Sequence, residues 1–486
     1  MNFKRPRLMK RALLITLSAC MAFLVSANWL QADDKKKEDE NQLKAYRAGT
    51  IIPMEGPAIK GGVLLVKDGK IENILKADEK LPDGVKAEDM GKDSVILPSF
   101  INPYTQVNLL GSNVKGSRSG VTRGYISAST RDGSKYKAFD QIQSTAKIFN
   151  QLAQHGYGTL GVIPSYRYIL SGRATIIDTI EAKDKKEMAL SEDAFLAMQY
   201  TIGRTAKSSL EAQFKKALET AKKIREERAN KNKKPAAKPT KPEAKKPPTP
   251  PKPSPRPPIP SPRPPSPVPI PGRTVSSKPP TKPTSSSKKP KPTVATPLSQ
   301  VFLGERKAVV IITIPSAIDH FVKLVKTLPE KFKFTLVTAP ILEEDQVKRI
   351  ASLKDHLEGV VLEPYISRIS DTTIYINTAR YFAENGVNVS LIPMSDDARG
   401  HKDIFYFLAN MVKSGMDPEA ALKSITVNPA KMLGIEKKRG SLAKGRDANF
   451  VIFDKDPLSG MAEVKKSFSR GKIVFPVPEK KDEEEK

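Results

Sequence analysis

The chain has 486 residues, enough for more than one domain, and a formal net charge of +29. Residues 1–11 carry +5 of this charge and residues 230–297 carry +15, which leaves +9 for the rest of the chain. Because the excess lies in two short segments and not in a basic groove with interleaved aromatic residues, the composition argues against nucleic-acid binding. The single cysteine, Cys20, lies close to the N-terminus, so the mature protein is not expected to contain disulfides or cysteine-ligated metals.

The N-terminal segment has the pattern of a secretory signal peptide. A basic start is followed by an apolar stretch from Ala12 to Ala27, and small residues offer cleavage points after Ala27 or Ala32. This pattern predicts an exported, periplasmic protein whose membrane contact is confined to this segment. The alternative is an uncleaved anchor, because residues 12–32 provide the ~20 residues that a membrane span needs. Cys20 lies in a sequence that resembles a lipidation signal, but the apolar residues that follow it argue against lipidation.

Two regions at opposite ends of the chain have the pattern of short β-strands. Residues 44–98 contain an apolar hairpin with its turn at Asp68-Gly69, and residues 448–477 return to the same pattern. Between them, apolar β-branched runs alternate with helical patterns. Strands are predicted at 95–101, 158–163, 174–178, 308–314, 333–338, 359–363 and 387–392. The alternation predicts a parallel β/α architecture in which seven of a possible eight strands are recognised.

A proline-rich insert interrupts this alternation. Residues 230–297 hold 24 of the 41 prolines and no aromatic residue. Because proline fixes φ and lacks an N–H donor, the insert is predicted to be disordered, extended chain. It is either a spacer or a tolerated insertion in a surface loop, since loop-closure entropy grows slowly with loop length.

Two helix starts are predicted towards the C-terminus. Asp417 is a suitable N-cap, and Pro418 suits the first helical position. Asn428 followed by Pro429 repeats the arrangement, and Gly434 is a natural residue to end the second helix.

The sequence TVNPAKMLGIEKKRGSLAKGRDANFVIFDKDPL, residues 426–458, resembles the C-terminal signature of the amidohydrolase superfamily, particularly its imidazolonepropionase-like branch. Upstream, GVLLVKDGKIENIL and VILPSFINPYT are similar to the family's first hairpin and first barrel strand. The resemblance implies an α/β fold, a (β/α)8 TIM-type barrel with a small β-sandwich domain built from both chain ends. The implied division is a signal peptide (1–32), sandwich segments (42–98 and 440–478), barrel segments (99–229 and 298–439) and the disordered insert (230–297).

The same resemblance identifies the positions at which active members hold one or two metals that activate a water. Tyr104 and Gln106 occupy the places of the first-strand His-x-His pair. Thr313 and Thr338 stand at strand ends where further ligand histidines are expected. Only Asp396 falls on the family's Asp, which makes it the candidate catalytic residue.

The chain has four histidines, and three of them are expected on the surface at or within helices: His155, His320 and His356. His401 follows Asp396 in a predicted loop and is therefore a candidate residue of the ligand pocket, together with Tyr104, Gln106, Thr313 and Thr338.

One carboxylate with Tyr, Thr and Gln is a poor transition-metal site, so we expect neither a metal nor another cofactor. The sequence predicts an exported pseudoenzyme with a binding or assembly role. The alternative is a hydrolase of non-peptide carbon–nitrogen bonds with a metal-independent site around Asp396. The expected partners are an unidentified small molecule and either a second copy of the chain or an active amidohydrolase homologue.

Overall fold

The computed structural model describes residues 42–106, 129–145, 147–164, 168–200, 204–233, 292–369 and 371–477. The predicted signal peptide and most of the predicted insert lie outside the described residues. Among the described helices, none is both long enough and apolar enough to cross a membrane. The chain divides into two compact units, the first made of Met1–Ala221 with Ala295–Lys486 and the second of Lys222–Val294.

The strands are short, and most of those in the core are fully buried. The N-terminal part contains β1 (Lys44–Arg47), β2 (Thr50–Ile51), β3 (Ile59–Lys60), β4 (Val63–Lys67), β5 (Lys70–Leu75), β6 (Ala87–Asp89) and β7 (Val95–Pro98). The middle part contains β8 (Phe100–Thr105), β9 (Ser129–Asp132), β10 (Tyr157–Val162), β11 (Tyr168–Arg173), β12 (Thr175–Asp178), β13 (Ala189–Ser191), β14 (Phe195–Gln199), β15 (Lys307–Ile312), β16 (Phe334–Thr338), β17 (Leu357–Leu362), β18 (Ser367–Arg368), β19 (Tyr375–Ile376) and β20 (Val389–Leu391). The C-terminal part contains β21 (Phe450–Phe453), β22 (Val464–Ser469) and β23 (Lys472–Phe475).

The helices of the described residues lie between the barrel strands or after the last of them. They are α1 (Ile148–Gln154), α2 (Arg204–Lys233), α3 (Pro297–Leu303), α4 (Pro315–Val325), α5 (Glu344–Ala351), α6 (Thr378–Glu384), α7 (Ala398–Lys402), α8 (Ile404–Lys413), α9 (Pro418–Lys423) and α10 (Val427–Leu433). As predicted, α9 begins after Asp417, whose carboxylate accepts a hydrogen bond from the Ala420 N–H. The start of α10 differs from the prediction, because Thr426 is its N-cap residue and the Asn428 amide instead donates to Val389 O.

Both chain ends build one β-sandwich. Its two sheets have the orders β23-β22-β21-β7-β2-β3 and β5-β4-β1-β6. β21 pairs antiparallel with β7, so the domain needs both ends of the chain. Tyr46, Phe450 and Phe468 pack between the sheets, with the rings of Phe450 and Phe468 stacked at 4.2 Å. The predicted hairpin of β4 and β5 is confirmed, and Asp68 and Gly69 both have the positive φ that its tight turn requires.

Eight strand positions form the wall of the α/β barrel. β8 pairs parallel with β10. β14, β15, β16, β17 and β20 pair parallel with one another in that order. Between β10 and β14 lies an extended segment made of β11 and β12, which pairs antiparallel with both neighbours. Among the described residues no strand pairing joins β20 to β8, so the wall consists of two separate sheets.

Alternation along the strands separates the barrel interior from its exterior. On β15, Val309 and Ile311 lie in the interior cluster, whereas Val310 and Ile312 pack outward with the helices. Helix α10 covers the amino-terminal end of the barrel, and its Met432 belongs to the interior cluster. The carboxyl ends of the strands form the opposite end of the barrel, its mouth, where barrels of this type carry their functional groups.

The segment between α9 and α10 joins the second residue of β8 to the last residue of β20. The Ile101 N–H donates to Ile425 O at 2.9 Å, and the Leu391 N–H donates to Ser424 O at 3.1 Å. Carbonyl groups of this segment therefore satisfy backbone donors that a directly paired neighbour strand would otherwise satisfy.

Three strand predictions need correction. The predicted strand 95–101 is divided, since Val95–Pro98 belongs to the sandwich and Phe100–Thr105 begins the barrel. The predicted strand 174–178 is part of the antiparallel segment and not parallel to its neighbours. Phe195–Gln199 is the barrel strand that the sequence analysis missed, because its residues FLAMQ include no β-branched side chain.

In the second unit, the described residues are the end of α2 and residues 292–294. The Thr293 N–H and hydroxyl both donate to the Glu227 carboxylate, the hydroxyl at 2.5 Å. Helix α2 continues to Lys233, so the predicted insert of 230–297 begins inside a helix.

A buried charge network links the barrel to the sandwich. Arg439 Nη2 lies 3.0 and 3.1 Å from the two carboxylate oxygens of Asp178, at the end of β12. Arg470, in the turn between β22 and β23, reaches Asp178 at 2.7 Å. The side chains of Asp178 and Arg439 are 0% and 2% exposed. Removal of one partner leaves a buried charge uncompensated, so breaking such a pair strongly lowers the free energy of unfolding.

Arg439→Met should therefore lower the free energy of unfolding by about 3 kcal/mol, because Asp178 would keep only Arg470. Urea unfolding of the two proteins measures the difference. The matched control is Arg380→Met, which breaks an exposed pair with Glu384 on one helix and should cost less than about 1 kcal/mol. Equal losses in the two variants would contradict a structural role for the buried pair.

Candidate functional site at the barrel mouth

Asp396 connects the last barrel strand to the first at the mouth. Its Oδ1 accepts a hydrogen bond from Thr105 Oγ1 at 2.5 Å, and its Oδ2 accepts one from the Gln106 N–H at 3.1 Å. Both donors lie at the carboxyl end of β8, whereas Asp396 follows β20. The carboxylate therefore links the end of β8 to the loop that follows β20.

This placement affects the protonation of Asp396. Burial raises the pKa of the carboxyl group, and the hydrogen bonds from Thr105 and Gln106 act in the opposite direction. The nearby negative charge of Asp397 raises the pKa of Asp396 further. Burial prevails, so the pKa of Asp396 lies above its ordinary value.

Tyr104 lies inside the barrel beside this carboxylate. It is 6% exposed and packs in the interior cluster. Burial raises the pKa of its phenol, and the negative charges of Asp396 and Glu363 raise it further. The phenol therefore remains protonated at neutral pH and can donate a hydrogen bond to a ligand.

Glu363 is a mouth residue that the sequence analysis missed. It is fully buried and follows β17 on the face that Val361 turns towards the interior. A signal was present, because Glu363 is a charged residue directly after the buried run of residues 359–362. Such a residue at the carboxyl end of a barrel strand is a candidate functional group.

Of the other predicted pocket residues, Gln106 and Thr313 lie at the mouth, whereas Thr338 lies on the outer face of the wall. The backbone of Gln106 binds Asp396, and its side-chain amide approaches Pro164 O at 3.5 Å. Thr313 follows β15 on the interior face and is half-buried. Thr338 is fully buried, and alternation places it with Phe334 and Leu336 on the outer face of β16.

The structure therefore brings Tyr104, Gln106, Thr313 and Asp396 to the mouth, whereas Thr338 faces the helix layer. Its hydroxyl has no hydrogen-bond partner in the described part of the chain.

His401 is held by hydrogen bonds at both ring nitrogens. Its Nδ1 lies 2.8 Å from Asp397 O, and its Nε2 lies 3.2 Å from the Asn102 amide nitrogen. Because a carbonyl oxygen only accepts, this arrangement requires a neutral ring with the hydrogen on Nδ1. The ring also packs edge-on against Tyr157, with centroids 4.6 Å apart. Burial lowers the pKa of His401 to about 4, so the residue is neutral at physiological pH and has a structural role.

Asp397, the second carboxylate of this loop, caps α7. It accepts hydrogen bonds from the Gly400 N–H and the Ser395 hydroxyl, both at 2.8 Å. Although burial alone would raise the pKa of Asp397, these bonds hold it below its usual range. Asp397 is therefore engaged in folding the loop that positions Asp396.

Comparison with known proteins gives consistent results. The sequence pattern of the Amidohydrolase family matches residues 327–475. The imidazolonepropionase of Thermoplasma volcanium is 35% identical over 104 residues, which are 20% of this chain and 26% of that protein. The N-acetylglucosamine-6-phosphate deacetylase of Bos taurus is 33% identical over 102 residues, 21% of this chain and 22% of that protein. The chain thus spans about a quarter of the length of these curated relatives.

A solved structure extends the likeness to nearly the whole chain. An amidohydrolase from Thermotoga maritima MSB8 superposes with a TM-score of 0.59 and 17% identity, covering 89% of this chain and 99% of that one. Residues 327–475 match the Amidohydrolase family, and the chain as a whole has the fold of this solved structure. This superfamily fold accounts for the barrel and for the sandwich made from both chain ends.

The residues at the mouth of this amidohydrolase-fold protein do not fit a zinc centre. Both oxygens of Asp396 accept hydrogen bonds from β8, and both ring nitrogens of His401 are engaged. Within the described ranges, no group of three His, Cys, Asp or Glu side chains is placed to hold a metal ion. Zinc requires three or four nitrogen, sulfur or carboxylate ligands, and Tyr104 with Gln106 supplies none of the preferred kinds.

Neutral, buried His401 should make stability depend on pH. Since its pKa falls from 6.5 to about 4 on folding, the unfolded chain takes up a proton first as the pH drops. Stability present above pH 6.5 should be lost progressively towards pH 4, by up to ~3 kcal/mol. His401→Gln should flatten this part of the profile in urea unfolding measured at several pH values.

The matched control for this experiment is His320→Gln, which changes an exposed histidine on α4. Its profile should follow the wild-type curve. If His401→Gln also retains the full wild-type dependence of stability on pH between 6.5 and 4, the buried neutral imidazole is not the source of that dependence.

Proposed function

We propose that this chain is an exported amidohydrolase-superfamily protein that performs no metal-dependent hydrolysis and uses its barrel mouth for binding or assembly. The observation that carries the proposal is the engagement of Asp396 by Thr105 and Gln106. The one family carboxylate that the chain retains serves to join the first and last barrel strands.

The chemistry of the neighbouring residues supports this proposal. At the places of the first-strand histidines stand a phenol that stays protonated and an amide, Tyr104 and Gln106. Asp396 itself is oriented by hydrogen bonds from the Thr105 hydroxyl and the Gln106 N–H. Such a mouth presents hydrogen-bond donors and acceptors to a polar small molecule, and it does not present a metal ion as a Lewis acid.

A second function is favoured by the raised pKa of Asp396. A carboxylate whose pKa lies nearer to neutrality is a better general base. Asp396 would take a proton from the Thr105 hydroxyl or from a water beside it. Tyr104 would then donate a hydrogen bond to the carbonyl oxygen of the substrate. This arrangement describes a metal-independent hydrolase of non-peptide carbon–nitrogen bonds, with Asp396 as its essential residue.

Metal analysis and activity assays on the mature protein separate these functions. We expect substoichiometric zinc, iron and manganese, no change in melting temperature with a chelator, and no hydrolysis of amides or cyclic imides. The double variant Tyr104→His/Gln106→His should remain inactive, because Thr313 also stands in a ligand position.

Two forms of hydrolytic activity would have distinct meanings in this experiment. Chelator-sensitive hydrolysis by the wild-type protein would refute the pseudoenzyme proposal. Hydrolysis that resists chelators and disappears in Asp396→Asn would establish the metal-independent enzyme. Asparagine suits this test because its Oδ1 can still accept from the Gln106 N–H, while its amide can donate to the Thr105 hydroxyl.

Export and partners are further parts of the proposal. The N-terminal sequence, with its basic start and apolar stretch, supports export to the periplasm, or anchoring by residues 12–32. The proposed macromolecular partner is a second copy of the chain or an active amidohydrolase homologue.

Expression in a Gram-negative host tests the export proposal. The protein should be recovered from the cell envelope, and N-terminal sequencing should begin after Ala27 or Ala32. A full-length product anchored in the inner membrane would favour the alternative. Recovery of an intact Met1 from the soluble cytoplasm would rule out both.

A further inference from the structure

A cleft on the outer side of the barrel wall has the features of a second ligand site. Its volume is about 310 Å³, and it forms where the end of β9, strand β11, helix α2 and the start of α3 meet. Leu170 of β11 belongs to the outer hydrophobic cluster, so the cleft lies on the outer side of the wall and not in the barrel interior. Its volume is at the lower end of the ~300–1,000 Å³ that small-molecule sites occupy.

The floor of this cleft is apolar. Leu170, Ala217 and Leu298 line it, and each is at most 5% exposed. A hydrocarbon group placed against them would be removed from water, which favours binding by roughly 25 cal/mol per Å² of buried apolar area.

The two sides of the cleft carry opposite charges. Asp132 lies on the strand side, and its Oδ1 accepts a hydrogen bond from the Ser134 N–H at 2.8 Å, which orients the carboxylate. Lys216 lies on the helix side and projects from α2 on the same face as Gln213 and Thr220. These residues stand at positions i, i+3 and i+7 of α2, so the helix places an amide, an ammonium and a hydroxyl along one side of the cleft.

An acid on one side, a base on the other and an apolar floor between them match a particular class of ligand. We propose that the cleft binds a small zwitterion with an apolar side chain, namely an α-amino acid or a short peptide. The ligand's ammonium binds Asp132, its carboxylate binds Lys216 and its side chain contacts Leu170 and Leu298. Hydrogen bonds between charged groups are about twice as strong as neutral ones, which gives the zwitterion its advantage over a ligand with one charge.

Calorimetric titration of the full mature chain with L-leucine and Leu-Leu tests this proposal. Both should bind the wild-type protein, and Lys216→Gln and Asp132→Asn should each weaken binding by about tenfold or more. Asparagine at position 132 keeps the acceptor for the Ser134 N–H, so the loss reports on charge and not on folding of the turn. The control is Lys215→Gln, which removes a neighbouring exposed lysine that does not line the cleft.

Two analogues assign each end of the ligand. Leucinamide lacks the carboxylate, so its weaker binding should not respond to Lys216→Gln. N-acetyl-L-leucine lacks the ammonium, so its binding should not respond to Asp132→Asn. The proposal is overturned if the wild-type protein binds neither L-leucine nor Leu-Leu at millimolar concentration, or if both cleft variants bind them with wild-type affinity. Because the mouth residues are untouched, neither result bears on the proposed function there.

Discussion

The hydrogen bonds between Asp396 and the end of β8 are the constraint on which the mouth depends. A barrel must join its last strand to its first, and in the described residues β20 and β8 do not pair directly. The two strands are joined through the Ser424 and Ile425 carbonyl groups, and the end of β8 is joined through Asp396 to the loop that follows β20. A side chain and a connecting segment thus do what a backbone ladder does in a fully paired barrel.

This use of Asp396 has a chemical consequence. The Asp396 carboxylate accepts a hydrogen bond at each oxygen, and its neighbours at the mouth include a phenol and an amide, which are poor ligands for a transition metal. The surrounding residues stabilise the same arrangement, since Asp397 caps α7 and His401 ties that helix to Asn102. Asp396, Asp397 and His401 are therefore engaged in holding loops and strands together.

The second long-range constraint is the network of Asp178, Arg439 and Arg470. It fixes the end of an antiparallel barrel strand to the sandwich, which itself requires both ends of the chain. Because its central pair is shielded from water, loss of either partner would leave a buried charge uncompensated.

Local chemistry in the sequence was sufficient to predict many elements. The Asp68-Gly69 turn, the N-cap at Asp417 and the left-handed Gly434 follow from backbone preferences of single residues, and the structure has all three. The family motifs likewise identified the barrel, the sandwich from both ends and the positions of Tyr104 and Asp396. What these features share is that a few neighbouring residues determine them.

Tertiary structure decided what depends on partners far apart in the chain. Asp396 and Thr105 are 291 residues apart, and Asn102 and His401 are 299 apart, so no local pattern shows that the Asp joins the seam or that the His is neutral and buried. The direction of the strand at 174–178 depended on the neighbours it pairs with, and the run FLAMQ became a strand because two barrel strands flank it. Hydrogen-bond partners and burial belong to the folded chain as a whole, which is why the roles of these residues could be read only from the structure.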